Sequence, residues 1–211
     1  MHSGGRILRG APIFHVLLLP PSAPSPHLMP MLLPQITLPK YTIADLDTFP
    51  DDGQRYELLQ GFLLVTPAPG APHQVVAVRL MTALMNCVSD LAFVTGPGVV
   101  EREPDIHLEP DVLVFPKPMP PSQKWKDLSG HWLAVEVYSR GSRKYDHDYK
   151  RDAYLALGVR EVWLVDLDER VVLISRADGL RDERVTDTLR WHPSEVAVEL
   201  VLPLERLFAD L

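Results

Sequence analysis

The sequence predicts an α/β fold in which a mixed β-sheet is flanked by two main α-helices. Two observations lead to this prediction. Short strand-like apolar runs recur along the chain, and two longer segments, 73–93 and 144–157, repeat apolar residues at three- and four-residue steps. The chain has 211 residues, of which 46% are hydrophobic and 23% charged, so it can build one domain with a substantial core.

The first 40 residues differ in composition from the rest of the chain. They combine two arginines with a short apolar run at 13–19 and many prolines. We expect a flexible, proline-rich leader over 1–40, or a start codon assigned too early, with Met29 or Met31 as the true beginning. A weak signal peptide is the alternative, although no convincing cleavage site follows the apolar run. The folded domain is expected over 41–211.

The domain is predicted to begin with a short helix and a hairpin. Thr42 is a suitable N-cap for a helix over 43–49. The runs YELL and FLLVT flank a turn at Gln60–Gly61 and predict two short strands. After a proline-rich loop, the broad apolar face of 73–93 predicts the longest helix, which the Gly-Pro-Gly sequence at 96–98 ends.

The second half of the chain is predicted to supply most of the sheet. Between its strands, the segment 144–157 predicts a second helix with Gly158 as a natural stop. The terminal segment 204–211 is expected to fray. Strands are predicted at 99–101, 106–108, 111–115, 132–138, 162–166, 171–175 and 196–202.

Charge and cysteine content limit the possible functions. The formal net charge of −7 argues against a protein that coats nucleic acid through bulk charge. An acidic nuclease is still allowed if its cleft carries local positive charge and metal ions. No apolar run reaches about 18 residues, so no membrane span is expected. The single cysteine, Cys87, excludes an internal disulfide and fits a reducing compartment, so we expect a cytoplasmic protein.

Several enzyme motifs are missing from the sequence. Ser139 lacks a G-x-S-x-G frame, which argues against a serine hydrolase. The histidines show no spacing such as H-x-x-x-H, so a zinc site is not expected. No glycine loop of the phosphate-cradling type occurs, which sets aside ATPases and dinucleotide enzymes.

Two carboxylates interrupt apolar segments. Asp111 stands in EPDVLVF and Glu136 stands in LAVEVYS. A carboxylate in such surroundings is costly if it is buried without a partner, but it is tolerated where it holds a metal or pairs with a cation. Two such strands side by side would bring both carboxylates to one edge, where Mg²⁺ or Mn²⁺ finds hard oxygen ligands. A bound ion acidifies water and neutralises charge on a phosphate.

Three further residues could join this site. Glu57 in YELL could supply another metal-binding oxygen. Lys150, in the helix after the Glu136 strand, could orient the attacking water and counter negative charge in the transition state. Asp146 lies four residues earlier on the same helix face and could hold the orientation of Lys150. The segment 140–151 contains five basic residues and is the best candidate for a phosphate-facing patch, with an ordinary solvated loop as the alternative.

Each candidate also has a structural interpretation. Asp111 could cap the start of its strand, and Glu136 could form a structural ion pair with an arginine or lysine. Glu57 could face solvent, and Lys150 could be an ordinary exposed lysine. Asp146 could be a charge partner near the helix N-terminus.

Three segments carry a specific resemblance: RYELLQGFLLVTPAPGAPHQ, EPDVLVF and LAVEVYSRGSRKYDHDYKRDAYLALGVREVWLVDLD. Together they resemble the Uma2 family (DUF820), which is classed with the restriction-endonuclease-like proteins of the PD-(D/E)XK superfamily. The resemblance covers roughly 41–208, and the order and spacing of the motifs agree. It implies a restriction-endonuclease-like core whose mixed sheet carries Asp111 and Glu136 on adjacent strands.

The resemblance also implies which residues form the site. Tyr138 stands where the PD-(D/E)XK pattern has a lysine, two residues after the second acid, and the helix lysine is taken as its replacement. His73 matches a recurrent family histidine, and we expect it at a helix start or behind the site. The implied site residues are Glu57, Asp111, Glu136 and Lys150, with Asp146 and Tyr154 at further matching positions.

These inferences predict an endonuclease that hydrolyses DNA phosphodiester bonds with Mg²⁺ or Mn²⁺. By analogy with many enzymes of this type, we expect a homodimer. The main alternative is a catalytically degenerate nuclease fold that binds nucleic acid or protein, which the acidic charge and the displaced lysine favour. A hydrolase acting on another phosphoester keeps the same site and is the second alternative.

Overall fold

The computed structural model describes residues 39–66, 68–138, 149–193 and 196–211. Residues 1–38 of the predicted leader and Asp146 lie outside these described residues. None of the helices within them is long and apolar enough to cross a membrane. The helices are α1 (Ile43–Leu46), α2 (Ala71–Val88), α3 (Arg151–Ala156) and α4 (Leu204–Leu207), with one 3-10 turn at Trp125–Asp127.

The strands of the described residues form three sheets. A four-stranded sheet has the order β2-β1-β5-β4, a six-stranded sheet has the order β10-β9-β8-β7-β6-β3, and β11 pairs with β12. The strands are β1 (Arg55–Leu59), β2 (Phe62–Thr66), β3 (Ala92–Thr95), β4 (Val100–Arg102), β5 (Ile106–Leu108), β6 (Val112–Pro116), β7 (Leu133–Tyr138), β8 (Glu161–Asp166), β9 (Val171–Arg176), β10 (Glu183–Val185), β11 (Thr188–Trp191) and β12 (Leu200–Pro203).

The six-stranded sheet is mixed, as predicted. Strands β7 and β8 run parallel, whereas the other neighbouring strands of this sheet pair antiparallel. A parallel pair needs a long crossover connection, usually with a helix, and α3 lies in the connection between β7 and β8. Every residue of β7 and β8 is buried, which agrees with the mainly apolar composition of both strands.

The two faces of this sheet belong to two hydrophobic clusters. Helix α2 covers one face because its buried residues recur at three- and four-residue steps. On this face, Val112, Val114, Val135 and Val137 join the cluster of α2 with Val76, Leu80 and Leu84. The other face joins α3 and the strands β4 and β5, through Leu113, Phe115, Ala134, Tyr138, Leu164 and Tyr154. Alternate residues of β7 therefore point to opposite layers.

The predicted helix over 73–93 is too long at its C-terminal end. Helix α2 spans Ala71–Val88, and after a turn the chain forms β3 at Ala92–Thr95. Residues Ala92–Thr95 pair with Pro116–Leu113 of β6. This pairing gives residues of the predicted helix a strand conformation, and tertiary contacts of this kind override local periodicity.

The C-terminal region is more ordered than the sequence predicts. Two short strands, β10 and β11, were not predicted, and the last strand β12 starts at Leu200 rather than at 196. The expected fraying over 204–211 is wrong for its first turn, because Leu204 and Leu207 of α4 are buried in the α2 cluster.

His131 is a buried base just before β7. It is 4% exposed, and its ring nitrogens have no hydrogen-bond partner among the described residues. Burial lowers the pKa of His131 from 6.5 to about 4. The unfolded chain therefore binds a proton between pH 6.5 and 4 that the folded chain does not bind, and stability falls as the pH falls through this window.

We expect His131→Phe to remove this part of the acid sensitivity. Wild type should lose up to about 3 kcal/mol of unfolding free energy from His131 between pH 7 and pH 4. Urea unfolding at both pH values measures the difference. His192→Phe, at an exposed histidine, is the control and should leave the pH dependence unchanged. Equal acid sensitivity in wild type and His131→Phe would contradict this assignment.

Candidate active site

Asp111 and Glu136 lie across from each other on neighbouring strands. In the β6–β7 pairing Val112 is opposite Val135, so continuing the register by one residue places Asp111 opposite Glu136. The backbone N–H of Val137 donates to Asp111 Oδ2 at 2.8 Å. Directly opposed residues have Cβ atoms about 5 Å apart. Two acids that are 25 residues apart in the sequence therefore converge on one side of the sheet.

Glu136 is buried within the face of β7 that α3 covers. It is 2% exposed. Lys150 Nζ lies 3.3 Å from Glu136 Oε1, and the hydroxyl of Tyr154 donates to the same oxygen at 2.6 Å. Lys150 immediately precedes α3 and Tyr154 is on it, so the helix after β7 returns two polar groups to the glutamate of that strand.

Glu57 links the four-stranded sheet to this cluster. It lies on β1 and is 0% exposed. Its Oε1 accepts a hydrogen bond from the backbone N–H of Glu109 at 2.7 Å, and its Oε2 lies 2.6 Å from Lys150 Nζ. Lys150 therefore bridges two buried carboxylates, Glu57 and Glu136, that belong to different sheets.

Asp111 is enclosed by two basic side chains. Arg55 Nη1 donates to Asp111 Oδ1 at 3.1 Å, and His73 Nε2 lies 3.0 Å from Asp111 Oδ2. Burial raises the pKa of Asp111, but the hydrogen bond and charge of His73, the N–H of Val137 and the charge of Arg55 outweigh burial and hold the pKa below 3.8. Asp111 is therefore an ionised carboxylate although it is only 6% exposed.

Arg55 is under the influence of three site carboxylates. Burial lowers the pKa of Arg55. The charges of Asp111, Glu136 and Glu57 and the hydrogen bond to Asp111 raise this pKa by more than burial lowers it, so the net shift is upward. The guanidinium also donates to the backbone oxygen of Glu109 at 3.2 Å. Arg55 is thus a permanent cation held among acids.

Two glycines allow the loop after β3 to approach Asp111 closely. A Cβ on Gly96 would lie 2.5 Å from the backbone oxygen of Asp111, and one on Gly98 would clash with the side chain of Leu113. The N–H of Gly98 also donates to the backbone oxygen of Pro110 at 3.1 Å. This contact between loop and strand depends on the missing side chains and fixes the backbone at the start of β6.

The donor set fits a divalent cation of the magnesium type. Such ions use one or two protein carboxylates and leave the other positions to water and phosphate. Asp111 and Glu136 supply two buried carboxylates on one side of the sheet, and Asp111 stays ionised. Within the described ranges, no group of three or more His, Cys, Asp or Glu residues is arranged to hold a metal by itself. The two carboxylates therefore fit an ion whose remaining ligands are water and phosphate oxygens.

The structure brings most of the sequence-derived candidates together. Asp111, Glu136, Glu57, Lys150 and His73 form one connected cluster. Of the basic segment 140–151, most residues lie outside the described ranges. Lys150 is buried, and Arg151 bonds to Asp152 and Asp182 at 3.0 Å and 2.6 Å, so neither presents its charge to a ligand at the surface.

Sequence reasoning missed Arg55. Its signal was the alternation of β1, because Arg55 and Glu57 are two residues apart and therefore share a strand face. Glu109 was missed as well, although it stands two residues before Asp111. Both contribute to the surroundings of Asp111, through the guanidinium and through a 3.6 Å contact between Arg55 Nε and Glu109 Oε2.

Comparison with known proteins agrees with this architecture. The Uma2 family model, described as "Putative restriction endonuclease", matches residues 43–205. A crystal structure of "a putative nuclease belonging to DUF820 from Anabaena variabilis ATCC 29413" is similar, with a TM-score of 0.65 and 18% identity over 80% of this chain and 97% of that chain. This likeness confirms the predicted restriction-endonuclease-like α/β fold. None of the curated proteins matches the chain.

Proposed function

This chain belongs to the Uma2 family, and on that premise we propose that it is a divalent-metal-dependent endonuclease that hydrolyses DNA phosphodiester bonds. One observation carries the proposal. The buried carboxylates of Asp111 and Glu136 oppose each other across β6 and β7, and Lys150 Nζ lies 3.3 Å from Glu136. Two carboxylates beside an amine are the groups that metal-assisted phosphodiester hydrolysis needs.

In this proposal Asp111 and Glu136 hold Mg²⁺ or Mn²⁺. When bound, the ion supplies positive charge to the phosphate and acidifies the attacking water. Lys150 orients the water and counters the negative charge of the transition state from its place beside Glu136. Tyr154, which donates to Glu136 at 2.6 Å, keeps that carboxylate in one orientation.

Glu57 takes a positioning role here instead of the metal-binding role expected from the sequence. Its two oxygens already meet the N–H of Glu109 and the ammonium of Lys150, and its side chain is fully enclosed. A carboxylate in that position fixes the ammonium beside Glu136. We assign His73, 3.0 Å from Asp111, to the same kind of role, in which it orients Asp111.

The proposal extends to partners and location. DNA is the substrate that the family description supports. A homodimer would present two sites to the two strands of a duplex, and analytical ultracentrifugation should then give twice the chain mass. The single cysteine supports a reducing compartment such as the cytoplasm.

A non-catalytic nuclease fold is the second candidate. Arg55 and Lys150 already supply positive charge to the site carboxylates, and a cluster neutralised in this way would be stable without a metal. Such a protein would bind nucleic acid or protein and would not cleave it.

Cleavage assays on the purified full chain separate these functions. Supercoiled plasmid, linear duplex, single-stranded DNA, RNA and a small aryl phosphodiester are incubated with Mg²⁺, Mn²⁺ or EDTA. We expect DNA cleavage only with the ions. Glu136→Gln should lower the rate roughly 1,000-fold, as expected for a residue that acts on the reacting groups.

Glu161→Gln is the matched control. Glu161 is a buried glutamate in an ion pair with Arg176, on the strand next to β7 but three residues before the Glu136 level, about 10 Å away. It should keep the wild-type rate. If the protein cleaves only the aryl phosphodiester, its substrate is another phosphoester and not DNA. No cleavage and no effect of Mn²⁺ on thermal stability would favour the non-catalytic fold.

A further inference from the structure

Arg55 donates a hydrogen bond to an oxygen of Asp111 that a metal ion bound there would need as a ligand. Its Nη1 donates to Asp111 Oδ1 at 3.1 Å, while Oδ2 is engaged by the N–H of Val137 and by His73. A divalent ion coordinated by Oδ1 would lie within a few ångströms of the guanidinium. Charges of the same sign repel strongly at that distance in a mostly buried site.

Arg55 also lines two spaces in the molecule, one that includes Asp111 and one that includes Glu109. The first is a cavity of about 70 Å³, lined by Arg55, His73, Gly96 and Asp111 among others. This cavity is large enough for water molecules but well below the roughly 300–1,000 Å³ of pockets that enclose organic ligands. The second is an open groove of about 620 Å³, which Arg55 lines together with Phe49, Tyr56, His107 and Glu109.

The arginine has room to exchange between these spaces. Its side chain is 22% exposed, in contrast to the 3% of Lys150. Glu109 gives it a second carboxylate on the groove side, with Nε and Oε2 3.6 Å apart. If the guanidinium leaves Asp111 and turns about this contact, the cavity at Asp111 opens into the groove and Oδ1 becomes accessible.

We propose that Arg55 is an exchangeable counter-ion of the metal site that becomes a ligand of the substrate phosphate. In the metal-free protein Arg55 neutralises Asp111. When a divalent ion binds Asp111, the guanidinium moves into the groove. Its planar N–H groups then donate hydrogen bonds to two oxygens of a phosphate. This inference rests on the proposed function and adds to it the residue that couples ion binding to phosphate binding.

The test compares Mn²⁺ and DNA affinity in the same variants of the full chain. For Arg55→Gln we expect Mn²⁺ to bind about tenfold tighter, because a competing cation is removed. DNA affinity, measured by anisotropy of a labelled duplex with Ca²⁺ in place of Mn²⁺, should fall about tenfold, because a charged phosphate contact is lost. A residue with only a structural role would not move the two affinities in opposite directions.

Two more variants complete the experiment. Arg184→Gln, at the exposed outer edge of the six-stranded sheet, is the control and should change neither affinity. Arg55→Lys keeps a cation for Asp111 and serves if Arg55→Gln does not fold. It should bind Mn²⁺ within about threefold of wild type and still bind DNA less tightly, since an ammonium lacks the fork.

The outcomes distinguish this inference from the proposed function. Mn²⁺ binding is followed by electron paramagnetic resonance. If wild type and Asp111→Asn take up Mn²⁺ alike, or neither binds it, the proposed function and the Arg55 inference both fail. If wild type binds Mn²⁺ and cleaves DNA, but Arg55→Gln gains no Mn²⁺ affinity or Arg55→Lys keeps wild-type DNA affinity, only the Arg55 inference is overturned.

Discussion

Replacing Lys150 by Met is expected to lower the free energy of unfolding by about 3–5 kcal/mol at pH 7. Lys150 is 3% exposed and its ammonium lies 2.6 Å from Glu57 and 3.3 Å from Glu136, both of which are buried. The substitution would leave two enclosed carboxylates without this cation, and burying an uncompensated charge is far more costly than losing an exposed ion pair. Urea unfolding measures the change.

Lys126→Met is the matched control for this prediction. Lys126 pairs with Glu103 at 2.7 Å, but both side chains are exposed, at 42% and 64%. Its loss should change the free energy of unfolding far less than the loss of Lys150, because water screens an exposed ion pair. Adding Glu57→Gln to Lys150→Met should recover part of the lost stability, because it removes the negative charge of one carboxylate that has lost the ammonium. Equal costs for the Lys150 and Lys126 variants would show that the amine at residue 150 does not compensate the carboxylates.

Asp111→Asn is expected to abolish the stabilisation of the protein by Mn²⁺. Ion binding at about 100 times the dissociation constant should stabilise wild type by ~2.7 kcal/mol, which raises Tm by about 5–10 °C for a domain of this size. Asn keeps an oxygen that can accept the N–H of Val137, but it lacks the charge that holds a hard cation. The rate of DNA cleavage by Asp111→Asn should also fall roughly 1,000-fold. Differential scanning fluorimetry with and without Mn²⁺ provides the first readout.

The Glu161→Gln variant again serves as control, and its Mn²⁺-induced rise in Tm should equal that of wild type. Asp111→Asn without ion should keep the wild-type circular dichroism spectrum, since its side chain has nearly the same shape. A rise in Tm that survives in Asp111→Asn would place the ion elsewhere in the protein and would remove the basis of the proposed mechanism.

The acidic site residues could be found from the sequence because they violate a local rule. Asp111 and Glu136 stand inside apolar strand runs, and a charged group there needs a compensating partner or a ligand. The same argument reached Lys150 with the help of the family resemblance, and the structure places its amine beside Glu136. The predicted mixed sheet was likewise visible as repeated buried strands separated by helical periodicity.

Element ends and charge partners were not accessible in the same way. The helical periodicity of 73–93 continues past Val88, yet pairing with β6 makes Ala92–Thr95 a strand. That pairing joins segments that are about 20 residues apart, and no local pattern encodes it. The same holds for the short strands β10 and β11, whose few residues carry too little alternation to stand out.

The amino-acid sequence by itself determined the fold class and singled out Asp111 and Glu136, because hydrophobic alternation and charges within apolar runs are local properties of a chain. Only the tertiary structure decided which side chains each acid contacts. Arg55 reaches Asp111 across 56 residues of sequence, and Glu57 on the four-stranded sheet meets Lys150 at the start of α3. Electrostatic partners depend on the distance between atoms in space, and strand pairing sets that distance for residues that are far apart in the chain.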